Sequence, residues 1–369
     1  MKFRWRTALA AVGLLSIMGC ASKGCSCVQP IPGGFPTAER HESAIQLRAT
    51  EGLFQYLSQN GASLIPSLLP TGTTFNIPPS CGGSNQICCA TPAPMCRINF
   101  DFKTLSLTPA APKTLHLSTD LQLKTLDPLP VTFSGSDCVV TIDTAASGSP
   151  TMNVSADIDF SVNATTDDTE IAANNAAVTG IDDGDLTIKG SLFSLCTLAG
   201  LPGIKGFVVS QLESQVATQI QNTVSAQACM KCMAKSDCNS FASDCVMGTC
   251  VGADGKTCIQ ELGLDGRMDI GSALASFSPG LQAHMDVLAV LGGYATADTG
   301  LSLGMLGGGL ADPHSPCVPD VPPPAPVTVP PSTTFTTDVL PDGATPYHLG
   351  IGVHVSHLDT LGYAAWNSG

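Results

Sequence analysis

"TMNVSADIDFSVNATTDD", residues 151–168, decides how the chain is read. Met152, Val154, Ala156, Ile158, Phe160, Val162 and Ala164 fall at every second position. Asn153, Ser155, Asp157, Asp159, Ser161 and Asn163 fill the places between. Strict alternation marks a half-buried strand, because successive side chains leave a pleated backbone on opposite faces. Thirteen alternating residues at roughly 3.3 Å each span about 43 Å, more than twice an ordinary strand. So long an apolar face needs an equally long partner.

Residues 203–226, "GIKGFVVSQLESQVATQIQNTVSA", offer one. Ile204, Val208, Leu212, Val216, Ile220 and Val224 recur at a constant interval of four. Each step of four drifts the apolar stripe by about 40°, so it winds about 200° around the helix. A flat sheet could not cover that stripe, whereas a strongly twisted one could. Other strands read by the same alternation: Ile98, Phe100 and Phe102, slipping parity at Leu105 and Leu107 as a bulge would produce, then Leu115, Leu117, Leu121 and Leu123. "LDPLP" turns into "VTFSGSDCVVTID", and the whole region reads as a meander of antiparallel strands. Residues 37–69 read as helical, from Ile45, Ala49, Leu53 and Leu57 to Leu64, Ile65 and Leu68.

The N-terminus sets the compartment. Lys2, Arg4 and Arg6 precede the apolar run "TALAAVGLLSIM", too short to span a membrane and suited to a signal peptide. It ends in "IMGC", which resembles a bacterial lipobox with Cys20 as the lipidated residue; the alternative is a plain signal cleaved near Ala21. Either way the chain is exported. Its sixteen cysteines are then disulfide partners before they are metal ligands. Cys81, Cys88, Cys89 and Cys96 form one compact group. Cys229, Cys232, Cys238, Cys245, Cys250 and Cys258 form a second, in a segment with too few apolar residues for a core of its own. Cys138 and Cys196 stand apart. Cys229-x-x-Cys232 lacks a nearby His, so disulfides outweigh zinc there.

Without the three basic signal residues the chain carries 13 basic against 30 acidic residues, −17 net, and has no basic run. That argues against nucleic acid and against anionic head groups as electrostatic partners. Catalysis has little support: no Gly-x-Ser-x-Gly elbow is present, and "HESAI" at His41 lacks the second His of a zinc-protease motif. His354 and His357 read as ordinary surface residues, and "IDDGD" at Asp182, Asp183 and Asp185 as a hairpin turn rather than a calcium loop.

Taken in order, several segments resemble the N-terminal half of the bactericidal/permeability-increasing protein family. This tubular lipid-binding group includes lipopolysaccharide-binding, cholesteryl-ester-transfer and phospholipid-transfer proteins. The resembling elements are the "ATEGLFQYLSQNGASL" helix, the alternating strands, "FVVSQLESQVATQIQNTVSAQAC", the proline-rich "VPPPAPVTVPP" and the final "YHLGIGVHVSHLDTLGYAAWNSG". The resemblance implies an α+β fold, with long helices packed in a highly twisted antiparallel sheet and a small disulfide-rich insertion. It divides the chain into a signal peptide (1–19), a lipidated tether (20–36, with Cys25 and Cys27), a tubular lipid-binding-like domain (37–310, insertion at 229–258), a proline-rich linker (311–346) and the start of a truncated second half (347–369). In the family a disulfide joins a strand to the end of the second helix. Cys229 fits that end, with Cys138 or Cys196 as its partner, and Cys317 is left as an orphan.

The implied function is non-enzymatic binding or transfer of phospholipid or another acyl lipid, by an envelope-anchored, outer-membrane lipoprotein. No cofactor is implied beyond bound phospholipid, and neutralising lipopolysaccharide through a basic tip does not suit −17. Leu53, Leu57, Val154, Ile158, Phe160, Val162, Phe207, Val208 and Leu212 are the expected groove residues. The alternative is a structural or adhesive surface protein that meets a protein partner, of unknown identity, through the cysteine-rich module.

Overall fold

The structure, a computed structural model, describes residues 28–68, 74–89, 96–145, 152–190, 196, 202–269, 271, 283–311, 314–319, 321–324, 337–340 and 342–368. It is mostly antiparallel sheet with few helices; every ladder between its named strands is antiparallel. Cys20, Cys25 and Cys27 lie outside the described residues.

One six-stranded sheet runs in the order β1 (Val28–Gln29), β15 (Gly263–Asp269), β16 (His284–Ala297), β17 (Leu301–Ala311), β2 (His41–Ala49) and β18 (Leu349–Val353). A second runs β11 (Thr169–Thr179), β10 (Met152–Val162), β7 (Thr114–Thr125), β5 (Arg97–Phe102), β3 (Thr74–Asn76), and β6 (Ser106–Ala110) also pairs with β7. A third runs β12 (Leu186–Gly190), β9 (Ser136–Ile142), β8 (Leu129–Phe133), β4 (Gln86–Ile87). The helices are α1 (Glu51–Leu68), α2 (Pro202–Ala228) and α3 (Val355–Asn367).

Strand β10 carries eleven residues, and its two faces explain its sequence. Outside, Asn153 donates to Asp120 Oδ1 at 2.8 Å, Asn174 and Asn175 donate to Asp159 and Asp157 at 2.8 Å, and Thr114 donates to Asp159 at 2.6 Å. Neighbouring strands therefore satisfy its polar set with short amides and hydroxyls. Inside, Met152, Val154, Ala156 and Phe160 are buried. A register shift against β11 between Ser155 and Asp157 interrupts the ladder midway. A second irregularity lies where parity slips after Phe102. Phe102 pairs with Leu121 but Ser106 with Ser118, so one extra residue is accommodated, and the amides of Lys103 and Thr104 both donate to the Asp120 carbonyl.

The single-meander expectation is corrected. After β7 the chain leaves for β8 and β9 in the third sheet before β10 returns beside β7. The two sheets meet where Leu123 N–H donates to Thr144 Oγ1 at 2.9 Å. Between them and α2 lies the largest core: Ile98 and Phe100, Leu121 and Leu123, Met152 and Val154, Leu129 and Val131, Val140 and Ile142, with Val208, Leu212 and Val216 from the helix.

The helical reading of residues 37–50 is also corrected: His41–Ala49 is a strand. Its hidden face carries Gln46 and Arg48 together with Ser43 and Ala44. Arg48, 1% exposed, donates to Asp338 Oδ1 at 2.8 Å and Ser302 Oγ at 3.0 Å and contacts Asp298 at 2.7 Å. A charge hidden among partners gives no apolar period, so Ile45 and Ala49 merged by spacing with the helical run from Leu53 to Leu68. Thr50 then ends the strand, its hydroxyl donating to the Tyr347 carbonyl at 2.6 Å.

Strand β18 extends this sheet at β2, and α3 lies over β16 and β17. His357 is buried at 2% exposure, correcting its reading as a surface residue; burial lowers its pKa, and His41 adds to that. It fits only because position 307 is glycine: a Cβ there would lie 2.6 Å from the imidazole Cε1. His354 caps α3 by accepting from Ser356 N–H at 3.2 Å.

Among the described residues six disulfides are present: Cys81–Cys89, Cys88–Cys96, Cys138–Cys196, Cys229–Cys258, Cys232–Cys245 and Cys238–Cys250. Cys229 thus closes its own module, and the expected link from the helix end to Cys138 or Cys196 is corrected. Cys317 is free and exposed. So many disulfides fit a chain exported from the cytoplasm into an oxidising compartment. The 229–258 module holds the hairpin β13 (Asp244–Val246) and β14 (Thr249–Val251). It is fastened to the body where the Gln260 carboxamide brackets Ile171, accepting from its N–H at 2.7 Å and donating to its carbonyl at 3.1 Å. Beside this, Arg40 pairs with Asp168 at 3.1 Å, Asn239 donates to Glu261 at 2.9 Å, and Phe35 N–H donates to Asp265 at 3.2 Å. Burial pushes Glu261 up to about 8 and Asp265 up to about 6, with neighbouring carboxylates adding to the effect.

Candidate functional site

A cavity of about 320 Å³ opens between α2 and the β3–β5–β7–β10 side of the second sheet. Its walls follow from the periodicities already described. Strand β5 contributes Ile98, Phe100 and Phe102, and β7 contributes Leu117, Thr119 and Leu121 at every second position. Phe75, Asn76, Ile77 and Pro78 close one side, while Leu105 and Leu107 enter after the bulge. Val154 comes from β10, and Leu212, Gln215, Val216 and Val224 from α2. The Phe75 and Phe100 rings tilt against each other at 5.0 Å.

Fourteen of these seventeen residues are apolar. The Thr119 hydroxyl is already spent, donating to the Thr104 carbonyl at 2.6 Å. Gln215 Oε1 is buried without a hydrogen-bond partner. No carboxylate, histidine or cysteine lines the wall, so among the described residues it offers neither a nucleophile nor a metal-ligand set. Burial raises the pKa of Glu213, which neighbours the lining on α2. A second depression, about 480 Å³, lies between α1 and β6 with Glu51, Gln55, Ser58, Gln59, Thr108, Asp298 and Thr299 on its rim. Its wall mixes these polar groups with Phe54, Leu107 and Pro109.

The structure distributes six of the nine expected groove residues over three places and leaves three outside them. Val154 and Leu212 line the cavity. Val208 is fully buried in the adjoining core, and half-buried Phe207 packs there with its ring 6.0 Å from Phe133. Phe160 and Ile158 belong to a different cluster, with Phe54 of α1, Leu115, Ala297 and Leu301. Leu53, Leu57 and Val162 are half-buried and belong to none of the three. Strand β10 is therefore shared: its first half faces α2 and its second half faces α1 with β16 and β17. Val216 and Val224 sit on the same four-residue stripe as Leu212, and Phe100 and Leu117 sit on alternating strands. What sequence periodicity omitted was which strand lies opposite which helix.

The fold and the site together define an antiparallel-sheet protein with an apolar cavity against a helix. No protein-family model matches the chain, and no curated protein sequence does. Among solved structures it is similar to the crystal structure of lipopolysaccharide binding protein, at 12% identity and a TM-score of 0.37. The match covers 84% of this chain and 57% of that one, so the chain spans little more than half the length of that neighbour. Among the described residues no helix is long and apolar enough to cross a membrane.

Proposed function

We propose that the chain holds an acyl lipid non-covalently in the cavity between α2 and the second sheet. The observation that carries this reading is the wall, with fourteen apolar side chains of seventeen around about 320 Å³. Each methylene moved from water to such a wall contributes about 0.8 kcal/mol, so a dry hydrocarbon slot favours a chain-like guest over a polar one. Binding by burial assigns no catalytic residue. Lipidation at Cys20 would keep the protein at the cell envelope, where acyl lipids are its neighbours; this anchor and the outer-membrane location belong to the proposal.

The test is native mass spectrometry with organic extraction of protein purified from its own host. Stoichiometric phospholipid or fatty acid supports the reading. A folded, disulfide-intact preparation that carries no lipid and takes up none from vesicles overturns it.

A further inference from the structure

The cysteine-rich module has no part in the cavity wall, yet it presents the most exposed apolar side chains among the described residues. Met233 is 97% and Met247 101% exposed, with Val246 at 40% beside them. Lys231 pairs with Thr249 and the Cys232 N–H donates to the Gly248 carbonyl at 3.1 Å. These contacts bring the segment that leads into Met233 alongside the turn at Met247 and Gly248. The Cys232–Cys245 disulfide staples the residue before Met233 to β13, which leads into Met247. Met247 occupies the left-handed region at φ 50°, followed by Gly248 at φ 80°. A turn of this kind ordinarily takes Asn-Gly or Asp-Gly, so a bulky apolar residue is held here against its backbone preference.

We propose that this tip, Met233, Val246 and Met247, is an interfacial anchor that inserts into the surface of a lipid bilayer. Three observations favour a bilayer over a protein. The patch is built from three exposed side chains, far short of the roughly 800 Å² per partner that a specific protein interface buries. Unbranched thioethers on a stapled turn fit a fluid acyl boundary without needing a shaped pocket. The module is also neutral, with Lys231, Lys235 and Lys256 against Asp237, Asp244 and Asp254, while the whole chain carries −14. Asp237 and Asp254 are engaged by backbone donors of their own turns, accepting Met233 N–H at 2.8 Å and Thr257 N–H at 2.9 Å. This end therefore meets a phosphate-bearing surface without the repulsion the rest of the chain would create.

Its position gives the anchor a use. Val224 lines the cavity, and five residues later Cys229 begins the module, so α2 ties tip and cavity into one piece. Insertion would hold the cavity's end of α2 close to the head groups. That consequence rests on the lipid-binding reading; the anchoring itself does not.

The experiment is methionine oxidation by dilute peroxide, mapped by peptide mass spectrometry on the full mature chain, with and without phosphatidylcholine vesicles. Vesicles should slow oxidation of Met233 and Met247 by about tenfold, the scale expected for burying a methionine side chain, and leave half-buried Met268 unchanged. This readout reports the tip itself, whether or not Cys20 is lipidated. Met233→Ser with Met247→Ser should weaken vesicle association of chain lacking the lipid by about tenfold or more. Its unfolding midpoint should stay put, because neither side chain is packed. Equal oxidation rates with and without vesicles, or protection conferred only by a protein fraction, overturn the proposal. Lipid extraction of the same samples scores the cavity separately: protected methionines with an empty cavity would retain the anchor and reject the lipid-carrier reading.

Discussion

Replacing Val224 by phenylalanine should shorten the acyl chain that the cavity accepts. Val224 is half-buried on α2 and lines the cavity directly, so the larger side chain enters the guest's space rather than the packed core. The exchange adds about four carbon atoms to the wall and displaces a similar number of methylenes. At about 0.8 kcal/mol each, the loss is about 3 kcal/mol, roughly two powers of ten in affinity. Displacement of a fluorescent fatty acid by a series of saturated acids of increasing length reads both quantities. The wild type should gain affinity with each added carbon up to its limit, and the variant should reach its plateau about four carbons earlier. Thermal unfolding serves as the control and should barely move. An unchanged length limit, with affinities within about threefold across the series, would refute the idea that this cavity is where hydrocarbon binds.

Three further outcomes are expected. Phe54→Ala should cost about 3–5 kcal/mol in a urea titration, because Phe54 is 5% exposed at the centre of the second cluster, yet leave the acyl-length preference intact. Removing the Cys138–Cys196 disulfide by paired alanines opens a 58-residue separation and should cost about 4 kcal/mol from released chain entropy, read from the same titration. Glu261 and Asp265 have folded pKa values raised above their ordinary 4.5 and 3.8, so their contribution to stability is fully present below about pH 4. It is lost as pH rises through 6 and then 8. Buried His357 pulls the other way below its ordinary 6.5, which makes about pH 7 to 9 the informative window. Denaturation midpoints should fall across it, and Glu261→Gln should flatten the slope; a rising midpoint in the wild type would contradict the sign.

Much of the second sheet was legible because one face of each strand is apolar and the other is answered by short polar neighbours. Met152 to Val162 is the clearest case, and the parity slip after Phe102 marks its bulge. Strand β2 was not legible, since its hidden face is Gln46 and Arg48, and a buried charge is recognisable only once Asp298, Asp338 and Ser302 are beside it. The departure of β8 and β9 to another sheet was hidden for a different reason: alternation reports which side of a strand is dry, not which strand lies next to it. The same gap separates the expected groove from the cavity. Leu212 and Val154 were found because both stripes pass through it, whereas Phe75, Phe102 and Leu107 depend on register and on a chain reversal that periodicity does not encode.

The shared strand β10 has a consequence for how such a protein can change. Met152 and Val154 serve the helix that walls the cavity, while Ile158 and Phe160 serve the cluster around Phe54. Substitutions in the two groups have few partners in common, so their effects on stability should add rather than compound. The cavity could then be widened or narrowed, one lining residue at a time, while the Phe54 cluster keeps the sheets in place. The cavity wall and the Phe54 cluster thus draw on opposite halves of a single strand.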